Sequence, residues 1–279
     1  MTARDEGDRR AGPVAGVSPT CSDAASQRPP LRGSPTPAPP ARDASVIWHE
    51  VECGSYTADL ALWEELARER AARVLDLGCG TGRVALHLAR RGRTITGLDI
   101  DPRLVAALAE RADGLPATAR TGDARDFKLN AEFDLVIAPM QLIQLLEDAS
   151  ERMRCLRRVA THLSPSGLAA FAIVEGVPIS DDTSLPLPDT REVDGWVYSS
   201  QAIETLLDGS WIRARRLRQT VSPAGELEEE VSEDLLHILT AAALEDEAMR
   251  VGLRPAGRRI VAQTDDHVGS TVVLLGRES

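Results

Sequence analysis

Aromatic side chains are scarce in this sequence, at 3% of the residues, while the 43% of apolar residues is ordinary for a globular protein. The 279 residues suffice for one large domain or two small ones with an ample core. Cysteine is scarce too. Cys21, Cys53, Cys79 and Cys155 stand apart, which leaves no paired metal spacing and no disulfide framework. Reduced thiols in a cytosol are the expectation. No apolar run approaches the length of a membrane span, and the opening "MTARDEGDRR" has no apolar leader core. A soluble, cytoplasmic protein follows as an expectation. Positive charge is also short, with 32 Lys and Arg against 43 Asp and Glu, a net charge of −11. Duplex binding needs a basic face, so the balance argues against a phosphate-backbone ligand unless a local patch opposes it.

What is present begins with a compositional change. Residues 1–44, as in "SQRPPLRGSPTPAPPARD", offer almost nothing apolar to bury, so their ordering would not recover its entropy cost. A disordered tail is expected there, and one compact domain over 45–279. Leu60, Trp63, Leu66 and Ala67 recur at helical spacing. A strand at 73–77, a glycine turn and the helix "RVALHLARR" come next. Strand 94–100 precedes a helix with Asp101 at its N-cap and Pro102 in its first turn. Strands at 117–121, 133–139 and 167–174 follow, with a helix over 141–163 between the last two. Five alternations of strand and helix indicate a parallel sheet with right-handed crossovers. Then the alternation stops. Residues 196–240 read as three long strands joined at "DGS" and "SPAG", an antiparallel insert spanning about 190–240. A helix and two final strands, near 258–263 and 270–276, close the chain.

The stretch "VLDLGCGTG" (74–82) carries the chemistry. A strand, a glycine turn and a helix aim free backbone N–H groups beyond the sheet edge, and glycines permit close approach. Three alternate glycines exceed what a bare turn needs. Two cofactors compete. "GTGRVA" matches a dinucleotide fingerprint, with Asp99 ready for a ribose. Yet the turn starts earlier, at Asp76, and a further acid, Asp123, follows the third strand. An acid beside a pyrophosphate would repel it, whereas a sulfonium and an ammonium would be tolerated. Two carboxylate oxygens also match two vicinal hydroxyl donors.

Over nearly all of residues 46–279 these features resemble the class I S-adenosylmethionine-dependent methyltransferases of small-molecule type. The resemblance implies a Rossmann-like α/β sheet with a C-terminal antiparallel hairpin and a β lid. It places Asp76, Gly78, Cys79, Gly80 and Gly82 against the methionine part of the cofactor. Asp99, with Ile100, resembles the ribose acid, and Asp123, with Ala124, the adenine site. "FDLVIAP", ending at Pro139, resembles the motif beside the transfer point. S-adenosyl-L-methionine is the cofactor so implied, with no metal. An NAD-dependent oxidoreductase and a non-catalytic ligand-binding protein on the same fold are the alternatives.

The acceptor is narrowed mainly by exclusion. "APMQ" lacks the Asn/Asp-Pro-Pro-Tyr form of enzymes that methylate nucleobase or glutamine nitrogens, and the acid of magnesium-dependent catechol enzymes. The paired glutamates of protein-arginine enzymes are missing as well. A small-molecule acceptor, methylated on O or N, is therefore expected, with no nucleic acid, no membrane, and a homodimer left open. "RARRLR" (213–218) faces "ELEEEVSED" (226–234), a pattern read as cross-strand ion pairing, with Arg213 or Arg215 as candidates to turn inward. Glu175 reads as a loop acid near the same edge. Tyr56 and His267 are the catalytic candidates, because the first helix and the closing hairpin should meet above the transferred methyl. Histidine is the side chain that ordinarily titrates near neutrality.

Overall fold

The computed structural model describes residues 43–70, 73–176, 186–264 and 267–277. All of them fall within one compact unit, Thr36–Ser279. Except for Asp43 and Ala44, the expected tail lies outside the described residues. Those two belong to the fold: Asp43 caps helix α1, Ala44–Cys53, by accepting from the Ser45 N–H at 2.9 Å. This helix was not expected from the sequence.

Helix α2 (Leu60–Arg70) leads into strand β1 (Arg73–Leu77), helix α3 (Arg83–Ala89) and strand β2 (Thr94–Asp99). Helix α4 (Pro102–Arg111), strand β3 (Ala117–Thr121) and strand β4 (Phe133–Ala138) follow. As its sequence predicts, α4 starts at Asp101, which accepts from the Arg103 N–H at 2.8 Å, with Pro102 next. The single helix expected over 141–163 is broken. A 3-10 turn at Leu142–Leu145 precedes α5, Ala149–His162, which restarts where Asp148 caps the Glu151 N–H. Competition from that cap explains the break, since an Asp bonded to the backbone opens a new helix rather than continuing one.

Strand β5 runs from Leu163 to Ile173, starting earlier than expected. The insert then holds four strands instead of three: β6 (Asp189–Val193), β7 (Trp196–Asp208), β8 (Trp211–Val221) and β9 (Leu227–His237). Helix α6 (Ala241–Met249) returns the chain to β10 (Leu253–Val261) and β11 (Ser270–Arg277). The main sheet has the order β10-β11-β5-β4-β1-β2-β3. Pairing from β5 to β3 is parallel, and β11 alone runs against its neighbours. Helices cover both faces, so β1 is buried along Val74–Leu77 and reads as a nearly continuous apolar run. Asp76, 1% exposed, is the polar exception.

The four lid strands form a separate antiparallel sheet, β6-β7-β8-β9. Helix α1 ties this lid down: Trp48 meets Tyr198 edge-on at 5.4 Å, and Glu52 binds Arg218 through two bonds of 2.7 and 2.8 Å. Gln144 joins the lid to the main sheet. Its amide accepts from the Val174 N–H and donates to the Val174 and His237 carbonyls. Glu175, read from the sequence as a loop acid, bonds the Ala241 N–H and the Thr271 hydroxyl, both at 2.8 Å. It braces α6 and β11. No helix among the described residues is long and apolar enough to cross a membrane.

Candidate active site

A cavity of about 900 Å³ opens at the carboxyl ends of the parallel strands, between them, α1 and the lid. Its floor is the glycine turn. Gly78, Gly80 and Gly82 all have positive φ, at 66°, 53° and 95°. At Gly80 the requirement is double: φ lies in the left-handed region, and an added Cβ would collide with the His49 imidazole. Cys79 turns its thiol toward the Gly80 carbonyl at 3.7 Å, and burial holds that thiol well above its usual range.

Asp76 is the electrostatic centre of the floor. Its carboxyl accepts from the Ala85 N–H, yet Oδ1 is buried with no partner. Burial pushes its pKa up to about 7, with Asp99 adding to the rise and Arg83 opposing it. Asp99 closes the turn. Its Oδ2 accepts from the Gly80 N–H at 2.8 Å and its Oδ1 from the Asp101 N–H at 3.0 Å. Each oxygen keeps a second lone pair, so a pair of hydroxyl donors can still be met. Asp123 also lines the cavity, but both of its oxygens accept from Arg125. The guanidinium holds this carboxyl below its ordinary range, and an amino-group contact would be shared with Arg125. Ile100, Ala124 and Pro139 complete this side of the cavity, Ile100 as an exposed rim residue. Beyond Pro139 the chain is strained. Met140 and Gln141 stand at φ 54° and 62°, a conformation that costs non-glycine residues about 1–2 kcal/mol each.

Tyr56 and His267 meet as the topology predicted. Their rings stack at 4.7 Å between centroids and 12° between planes, and both line the cavity. Arg83 fixes the tyrosine: its guanidinium sits 5.0 Å from the ring centre, and it binds the Tyr56 carbonyl at 2.9 Å and both Asp59 oxygens. Asp59 also accepts from the Trp63 indole at 2.8 Å. Burial raises the Tyr56 pKa, so its hydroxyl remains protonated near neutrality.

Several site residues had not been anticipated. On α1, Ser45, Trp48, His49, Glu52 and Cys53 line the cavity at the spacing of one helical face, with the expected Tyr56 just beyond the helix end. That periodicity was available in the sequence, but it mixes Ser45, His49 and Glu52 with Trp48 and Cys53 and so gives no clean apolar stripe. The ring of His49 approaches the glycine turn, with Nδ1 3.3 Å from the Thr81 hydroxyl, and burial lowers its pKa. In the lid, Arg213 bonds outward to Asp208 and Glu233, and Arg215 is held by Glu204 at 3.0 Å. Arg215 still lines the cavity at its rim, as one of the two candidates, while Arg213 does not; Arg216 and Arg218, which share strand parity with Ala214, join it on the cavity side. A second, more open cavity of about 650 Å³ lies at the opposite sheet edge, around Arg73 and His162. Both ring nitrogens of His162 are engaged there, with the Leu129 N–H and the Arg158 carbonyl.

This arrangement of sheet, glycine turn and carboxyl-edge cavity defines a Rossmann-like class I methyltransferase fold. Residues 74–167 match the family described as "Methyltransferase domain". That stretch runs from β1 into β5 and holds the floor of the cavity without α1, the lid or the closing hairpin. Among relatives, the chain is 44% identical over 94 residues to trans-aconitate 2-methyltransferase of Mycobacterium tuberculosis, covering 33% of this chain and 34% of that protein. It is 34% identical over 111 residues to dTDP-3-amino-3,6-dideoxy-alpha-D-glucopyranose N,N-dimethyltransferase of Streptomyces fradiae, covering 40% and 43%. The chain thus spans a third to under half of the length of these relatives. The sugar N-methyltransferase KedS8 from Streptoalloteichus superposes with a TM-score of 0.70 at 20% identity, over 88% of this chain and 98% of that one. DesVI of Streptomyces venezuelae gives 0.65 at 21% identity, over 81% and 94%. At these identities the likeness is one of fold.

Proposed function

We propose that this protein is an S-adenosylmethionine-dependent methyltransferase acting on a small-molecule acceptor. The observation that carries the reading is the unpartnered, fully buried Asp76 Oδ1 beside a glycine turn closed by Asp99. A site with two carboxylates and an orphaned oxygen suits a ligand with an ammonium, a sulfonium and a diol. It repels a pyrophosphate, which counts against the NAD-dependent alternative. The residues present therefore fit the methyl donor: Asp76 and Gly78–Gly82 toward its methionine end, Asp99 and Ile100 toward the ribose, Asp123 and Ala124 toward the base.

When bound, the cofactor would supply a methyl group activated on a sulfonium. The chain's part is to hold an acceptor in line with it and keep water away. The lid and α1 provide the enclosure. Tyr56, pinned by Arg83, orients His267 by stacking, and His267 would accept the proton of a hydroxyl or protonated amine at a ring nitrogen. Among the relatives, one is named for trans-aconitate and another for an amino sugar, so a small, diffusible acceptor is the common ground. The net charge of −11 fits this better than nucleic acid does. Among the described residues the thiols of Cys53, Cys79 and Cys155 are free, which suits a reducing cytoplasm. The proposed domain covers residues 45–279, and light scattering would test a homodimer. The central test is thermal stabilisation of the full chain: S-adenosylhomocysteine should raise the melting temperature and NAD should not. A shift with NAD alone would overturn the assignment.

A further inference from the structure

The roof of the cavity carries an acid, Asp234, with no direct ion pair among the described residues, although Arg216 and Arg218 act on it through space. Along β8, Ile212, Ala214, Arg216 and Arg218 share one face of the lid, by the alternation of side chains in a strand. Opposite Ala214 in the register stand Thr205 on β7 and Asp234 on β9, and all three line the cavity. Ala202 lies opposite Arg216. With alanine at 202 and 214, the middle of the roof leaves room beneath it for a polar group.

Both roof cations are already engaged. Arg218 holds Glu52 with bonds of 2.7 and 2.8 Å, and Arg216 holds Asp189 at 2.7 Å and the Ser200 hydroxyl at 2.8 Å. Arg215, at the rim, is held by Glu204. Asp234 makes no direct hydrogen bond or ion pair with any described side chain. Two guanidinium groups thus face three carboxylates, Glu52, Asp189 and Asp234, leaving one negative charge unbalanced. Desolvation in the cavity wall, and then the Glu52 carboxylate, hold the Asp234 carboxyl above its ordinary range, against the opposing charges of Arg218 and Arg216. A cation from outside would relieve both effects, whereas a carboxylate would add a fourth negative charge.

Building on the methyltransferase reading, we infer that the acceptor is an amine-bearing polar molecule whose ammonium group docks on Asp234 beneath Ala202 and Ala214. Acceptors recognised through a carboxylate are disfavoured at this roof. Glucosamine, glucose and glucuronate provide a probe series with one ring and a positive, neutral or negative substituent. Calorimetric titration of the full chain, with and without saturating S-adenosylhomocysteine, should rank glucosamine above glucose and glucose above glucuronate. Asp234→Asn should weaken glucosamine by about tenfold, to the level of glucose, because a charge-assisted bond is removed. Asp234→Glu should restore part of the preference, and neither variant should change affinity for S-adenosylhomocysteine. Absence of a glucosamine preference in the native protein, or its survival in Asp234→Asn, overturns the inference. Failure of S-adenosylhomocysteine to bind would instead overturn the methyltransferase reading, since the ranking is also read without it.

Discussion

The floor of the cavity is made by neighbours in sequence, Asp76 to Arg83, whereas its roof joins Glu52 to Arg218 across 166 positions. On the floor, backbone geometry does the work: positive-φ glycines and bonds from Asp99 shape a surface with few side chains on it. In the roof, side chains do the work, through ion pairs and ring contacts between α1 and the lid. The matched family segment, 74–167, holds the floor and omits the roof. A floor of this kind binds what every member of a fold class shares, while a roof built from distant side chains can change its acceptor without disturbing the sheet.

The largest expected effect strikes where the two meet. His267→Gln removes the proposed base while keeping a side chain of similar reach. Turnover, followed with labelled methyl donor and a metabolite extract, should fall by about 100-fold, within the usual range for a lost acid–base group. Affinity for S-adenosylhomocysteine should hold. Loss of both would make His267 a prop for Tyr56 instead of a base.

Floor and roof should then separate cleanly. Asp99→Ala removes two acceptor oxygens from the floor and should cost about 2–4 kcal/mol of cofactor affinity, measured by titration calorimetry. Unchanged affinity would mean that Asp99 serves only Gly80 and Asp101. Glu52→Gln acts on the roof alone. It leaves Arg218 and Arg216 without their shared carboxylate and should lower stability by about 1–3 kcal/mol, read from denaturant unfolding. Cofactor affinity should change little, and an equal loss in both properties would erase the distinction between floor and roof.

The same distinction governs what could be read from the sequence. Strand and helix alternation, the glycine turn, Asp99 and the meeting of Tyr56 with His267 were legible, because each follows from local pattern or from sheet topology. Helix α1 was missed although Val46, Ile47 and Val51 give it a short buried apolar stripe; its cavity face, Ser45 to Cys53, mixes polar residues with Trp48 and adds no hydrophobic period of its own. The part played by Arg216 and Arg218 beside Arg215 was missed for another reason. In an arginine-rich strand, composition cannot say which parity faces inward; that is set by α1, where Glu52 waits. Arg83 was not singled out at all, because its partner Asp59 lies 24 positions earlier.

The smallest effect probes the floor through protons. In the free protein Asp76 has its pKa raised from 3.8 to about 7 by burial, so the folded state binds a proton that the unfolded chain releases far earlier. Its contribution to stability is therefore fully present below about pH 3.8 and is lost as the pH climbs through about 7. The ammonium of S-adenosylhomocysteine beside Asp76 would favour the charged carboxylate, so binding below pH 7 must expel that proton. Affinity for S-adenosylhomocysteine should accordingly rise by up to about tenfold per pH unit between pH 5.5 and 7, then level off. Calorimetry in two buffers of different ionisation enthalpy would count the released proton directly. Asp76→Asn cannot ionise, so its affinity should be flat across this range and below that of the native protein at pH 8. A flat profile in the native protein would show that the ligand's ammonium does not reach Asp76, and would overturn the reading of the orphaned oxygen as its partner.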